Sequence, residues 1–147
     1  MRLWHKDLID SLPQQQLIAQ WRECCLIAKN ISEKGKPNHI LVNPVMDYDI
    51  NHFSCYSSLV AYEMLWRGYT CNEKSFTKYL PLWSTEIERK DIFCDWHNER
   101  YLTQCYYNLQ EKFDRGGISE KEWERVSKKY YEVKEKYSNN QKEIEEW

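Results

Sequence analysis

Between residues 17 and 28 the apolar side chains recur three and four apart: Leu17, Ile18, Trp21, Cys24, Cys25 and Ala28. That period predicts an amphipathic helix. Ser11-Leu12-Pro13-Gln14 reads as its start, with Ser11 as N-cap, Pro13 in the first turn and Gln14 at the third helical position. The pattern lapses near Ile31. Gln16, Gln20 and Glu23 run along a different stripe, and Arg22 flanks it beside Gln15 and Ala19. Glu23 therefore faces water, a cleft, or another segment such as the N-terminus. Residues 1–10 read as an extended lead-in.

Ser32 to Asn38 is a turn-rich break, and His39 to Met46, interrupted by Pro44, reads as a loop or a very short strand. Asp49 or Asn51 caps a second helix over about residues 51–67, with Phe53, Tyr56, Val60 and Met64 among its apolar positions and Gly68 as its C-cap. Residues 70–95 read as a long irregular segment with one helical turn. A third helix, about 98–113, carries Tyr101, Leu102, Cys105, Tyr106 and Leu109 on one face and stops at Gly116-Gly117. Ser119-Glu120-Lys121-Glu122 is a capping box. The charged helix it opens reaches about Tyr137, with Trp123, Val126, Tyr130, Val133 and Tyr137 on its inner face. The expected fold is all-α: one compact domain over residues 1–147, about four helices with long irregular connections. The charged stretch 119–147 is either its last wall or an appendage.

Composition narrows the picture. A chain of 147 residues with 41% hydrophobic and 30% charged side chains fits one soluble globular core. A net charge of −2 is not that of a strongly basic nucleic-acid binder, although residues 1–46 carry +2 and the remainder −4. Six cysteines without a secretory or membrane-spanning stretch point to reduced thiols and a cytoplasmic protein. The seven Trp and eleven Tyr supply core or stacking surface. His52-x-x-Cys55 and Cys94-x-x-His97 are two pairs at one-turn spacing and leave a small zinc site as an alternative.

The segment MRLWH, followed by DLI-x-x-LP-x-QQL and the run WRECC at residues 21–25, resembles the N-terminal block of the pyrimidine-dimer DNA glycosylase family, which includes the phage endonuclease V enzymes. A looser likeness continues through AYEMLWRGY (61–69) and HNERYLTQCYYNL (97–109), while 32–60 and 70–95 find no match. The resemblance implies a DNA-repair glycosylase with abasic-site lyase activity, acting on duplex DNA that carries damaged bases or abasic sites. It implies a chain that works as a monomer, without cofactor, metal or membrane, inside the cell, bound to the nucleoid or virus-encoded. The family's nucleophile is the α-amine of the first residue, and its partner is a helix-one glutamate that follows an arginine. Those positions are Met1, Glu23 and Arg22.

The chemistry suits the groups. α-Amines titrate about two units below lysine side chains, so more of the neutral nucleophile is present at neutral pH. An amine attacking the anomeric carbon forms a Schiff base, and a neighbouring carboxylate stabilises positive charge and moves protons. If Met1 keeps its place, Arg2 matches the family's basic residue just after the terminus; if Met1 is removed, Arg2 supplies the amine. Gln16 stands where the phage enzymes have histidine, and Leu26 where they have a second arginine. Arg2, Lys6, Arg22, Lys34 and Lys36 are the candidate phosphate contacts, with Gln15 and Gln16 beside them. The alternative from another class is a non-catalytic all-α interaction module on the same scaffold.

Overall fold

The computed structural model describes residues 1–145. Five α-helices carry the chain: α1 Gln14–Lys34, α2 Ile50–Trp66, α3 Lys74–Thr77, α4 Glu99–Asp114 and α5 Glu120–Glu145. Three 3-10 helices, Lys6–Ser11, Asn43–Asp47 and Arg89–Asp91, lie in the connections. No strand occurs among the described residues, so the fold is all-α.

The first twelve residues run through the middle of the protein. Leu3, Leu8, Ile9 and Leu12 are each at most 1% exposed. Burying a side chain of this size contributes about 1.5–3 kcal/mol, which explains why a chain terminus is held rather than frayed. The 3-10 helix Lys6–Ser11 packs on α2 and α5, α1 packs on α2 and α3, and α4 lies along α5. Between the last two, Tyr106 stacks on Trp123 at 4.8 Å and on Tyr130 at 3.9 Å between ring centres. Val126, Tyr130 and Val133 of α5 belong to the same buried cluster as the N-terminal residues.

Residues 1–5 of the lead-in are non-helical, but from Lys6 it winds into a 3-10 turn rather than staying extended. His5 Nδ1 caps it by accepting from Asp7 N at 3.1 Å, and Ser11 Oγ donates back to Leu8 O at 3.0 Å. Ser11 therefore does not cap α1. Proline disfavours helical geometry in the residue before it, and Leu12 is extended (ψ 141°), so α1 cannot begin until Gln14. The Gln14 N–H finds its acceptor far away in sequence, on Glu122 Oε2 at 2.7 Å. Glu122 also closes the expected box, accepting from Ser119 Oγ at 2.9 Å and donating its N–H to that oxygen at 3.2 Å. α1 runs one turn past Ile31 to Gly35, which ends it at φ 77°. Residues 43–47 form a 3-10 turn rather than a strand, with Pro44 in its first turn. α5 continues beyond Tyr137 to Glu145.

Candidate active site

Side chains from three helices hold the N-terminal backbone residue by residue. Gln20 of α1, fully buried, accepts from Trp4 N at 2.7 Å through Oε1 and donates to Arg2 O at 3.0 Å through Nε2. Tyr56 of α2 donates its hydroxyl to Trp4 O at 2.5 Å and approaches Gln20 Oε1 at 3.0 Å. Tyr101 of α4 donates to Leu3 O at 2.6 Å. His97, just ahead of α4, accepts from Lys6 N at 3.0 Å through Nδ1. Burial of these partners in low dielectric makes each bond expensive to break.

Glu23 sits at the open end of this clamp, half-buried, one turn beyond Gln20. Gln20 Nε2 donates to Glu23 Oε2 at 3.1 Å. Burial pushes the Glu23 carboxyl above the usual carboxylate range. The largest opposing influence is the positive charge of the chain's own α-amine, followed by hydrogen bonds from Arg2 N–H and Gln20. The Met1 amine and the Glu23 carboxylate thus share one electrostatic environment. A carboxyl whose proton is held more tightly by burial, within reach of an amine's charge, is suited to proton transfer.

The other candidates divide. Arg22, next to Glu23 in sequence, is exposed; Gln15, in the first turn of α1, is exposed as well, and Gln16 is half-buried with its Oε1 lacking a partner. The Arg2 guanidinium lies over the Trp4 ring at 5.6 Å and near Tyr101, at the edge of a groove of about 710 Å³. Lys34 and Lys36 are exposed at the far end of α1. Glu23 and Lys34, eleven residues apart in sequence, are separated by about 16 Å of helix, roughly five base steps of a duplex.

Two expectations are corrected. Lys6 is not a free surface cation: it is 3% exposed, and its Nζ donates to Lys90 O and Ile92 O, both at 2.7 Å. Its ammonium fastens the 89–92 segment, and burial lowers its pKa. The zinc alternative fails on geometry. His52 Nδ1 accepts from Phe93 N at 3.1 Å, His97 Nδ1 from Lys6 N, and Cys55 Sγ donates to Ser84 Oγ at 3.4 Å, while Cys94 is exposed. Among the described residues no three His, Cys, Asp or Glu side chains converge as metal ligands.

Reading the sequence misses the clamp itself. Gln20 lies on the same stripe as Glu23, which was a usable signal. His97 and Tyr101, one turn apart, lie in the stretch that carried the looser likeness. Nothing in the sequence pairs either of them with residues 3 and 6.

The clamp on residues 2–6, and the half-buried carboxylate of Glu23 under the influence of the α-amine's charge, make this end of α1 the candidate site on an all-α scaffold. The chain belongs to the pyrimidine dimer DNA glycosylase family, whose model matches residues 1–77, just over half of its length. The match runs through residues 32–60, where no likeness was seen, and ends before 97–109, where one was. No curated protein and no solved structure matched the chain. Membership gives a DNA glycosylase role directed at pyrimidine dimers in DNA. Among the described residues no helix is long and apolar enough to cross a membrane.

Proposed function

We propose that the chain is a bifunctional glycosylase and abasic-site lyase whose nucleophile is the α-amine of Met1 and whose proton-transfer group is Glu23. The observation that carries this reading is the clamp: backbone groups of residues 2, 3, 4 and 6 are each fixed by a side chain, and the amine's charge acts on Glu23. Fixing the backbone from the residue after the nucleophile onward removes part of the entropy of encounter.

In the proposed sequence the neutral amine bonds to C1′ of the damaged nucleotide as the C1′–base bond breaks, and the base leaves with a proton. The sugar ring opens at its C1′–O4′ bond, giving an iminium between C1′ and the terminal nitrogen. Glu23, as carboxylic acid, donates to O4′; as carboxylate, it shields the positive charge and assists loss of a C2′ proton. The C3′–O3′ bond then breaks, the strand is nicked, and water releases the enzyme from the imine. Arg22 on the same turn, with Lys34 and Lys36 further along α1, supplies phosphate contacts. Arg2 supplies one at the terminus, or the amine itself where Met1 has been removed.

The test is nicking of ultraviolet-irradiated duplex by Glu23→Gln. The amide keeps the shape and can still pair with Gln20, so thermal stability should stay within about 1 kcal/mol of the parent. Nicking should fall by roughly 10²–10⁴-fold. Undiminished nicking would remove Glu23 from the chemistry.

A further inference from the structure

Ile40 is 81% exposed, the most of any large hydrophobic side chain among the described residues, and Leu41 beside it is half-exposed. Isolated surface hydrophobics are ordinary, but these two sit on a turn built to hold them still. Val42 N and Asn43 N both donate to His39 O, at 3.0 and 2.9 Å. His39 N donates to Asn43 Oδ1 at 3.2 Å, and Leu41 N to His39 Nδ1 at 3.2 Å. Asn38 enters the turn at φ 66°, and Asn30 of α1 ties the approach by donating to Pro37 O at 3.1 Å. Val42 and Val45 root the turn in the core at no more than 1% exposure. The turn therefore presents two apolar side chains on a rigid mount.

The mount borders the groove that Arg2 lines. Ile40 and Leu41 line the same groove as Arg2, and across it lie Arg100, Tyr101 and Gln104 of α4. Arg2 is one residue from the proposed nucleophile. A groove with two arginines suits a phosphate backbone, and apolar tips beside such a groove suit a base stack. Proteins that bend DNA insert apolar wedges between base steps, and chemistry on a sugar inside a duplex requires the nucleotide to leave the stack.

We propose that Ile40 and Leu41 are a wedge that enters the duplex at the lesion and occupies the space vacated by an extruded nucleotide. Their role is positioning. The proposal rests on the glycosylase reading above, and its test is arranged so that the two fail differently.

The substrate is a synthetic duplex carrying one thymine dimer, with 2-aminopurine opposite it as a fluorescent reporter of unstacking. Ile40→Ser with Leu41→Ser should change the unfolding temperature little, because Ile40 is solvent-facing and Leu41 is only half-covered. Nicking of the duplex should fall about tenfold or more. In a Glu23→Gln background, binding of the parent should raise 2-aminopurine fluorescence, and binding of the serine variant at saturation should not. Ile40→Phe, which keeps an apolar tip, should retain both signals. If the serine variant nicks like the parent, or opens the stack like the parent while nicking slowly, the wedge is overturned. If the parent protein neither binds nor nicks the dimer duplex, the glycosylase reading falls, and the wedge falls with it.

Discussion

Gln20 uses both ends of its amide at once, accepting from Trp4 N and donating to Arg2 O and Glu23 Oε2. Gln20→Leu keeps the bulk but strands a buried N–H and a carbonyl. It should destabilise the protein by about 2–4 kcal/mol in urea denaturation. Assayed where the variant remains folded, nicking should drop further than stability explains, by roughly a hundredfold, because Gln20 no longer ties the backbone of residues 2 and 4 to Glu23. Loss of stability without loss of rate would make Gln20 merely a core residue. The place of Glu23 was legible in the sequence, since it lies off the apolar stripe, and it is half-buried beside the N-terminal segment. Gln20 was not, because glutamine is usually solvent-facing, and its burial depends on a backbone strand supplied from residues 2–4. Lys6 was misread for the same reason. Its carbonyl partners at residues 90 and 92 lie beyond the reach of any local pattern.

At the level of elements, α1 must begin in a fixed place for Gln20 and Glu23 to point at the terminus. That start is set by Pro13 and by Glu122, which accepts the Gln14 N–H while closing its own box with Ser119. Glu122→Ala removes both caps and should lower stability by about 1–2 kcal/mol, read as a fall in unfolding temperature. Below that temperature nicking should be unchanged, since the loss is nine residues from Glu23. A selective loss of activity would mean that α1 shifts its register when the cap is removed. The Ser119–Glu122 box was readable because both partners are local. The cap of α1 was not, because Ser11 offers the right residue type while Pro13 forces the chain before it out of helical geometry. The long amphipathic helices follow from their periods. α3 and the 3-10 turns are too short to show one, and their placement comes from packing.

Across the whole molecule, the N-terminal segment, the start of α4 and α5 meet at a stacked pair of buried imidazoles, His5 and His97, 5.3 Å apart. His5 also meets Tyr137 Oη of α5 at 3.0 Å, and Tyr137 donates to His97 O at 3.2 Å. Burial pushes His5 down to about 3, and burial with the neighbouring charges of His5 and Lys6 pushes His97 well below its ordinary value. Both rings are neutral when folded, whereas in the unfolded chain they titrate near 6.5. The unfolded state therefore binds more protons below that pH. Stability is full above about 6.5 and is lost as pH falls through the window towards the folded values. Between pH 7 and 5 each histidine should remove up to about 2 kcal/mol. The raised carboxyls of Asp7 and Glu23 oppose this trend and flatten it. A urea midpoint that does not move between pH 7 and 5 would show that the pair is not held neutral. The family match ends at residue 77, yet His97 and Tyr101, which hold the backbone of residues 6 and 3, lie beyond it.

The central claim is that the chain's own first amine forms the covalent bond to DNA. Borohydride reduction of the protein on duplex DNA bearing an abasic site, followed by cleavage after lysine and mass mapping, tests it directly. One adduct per protein is expected, on the terminal nitrogen of the peptide that ends at Lys6. An adduct on an internal lysine, or none at all on protein with a free N-terminus, would contradict it.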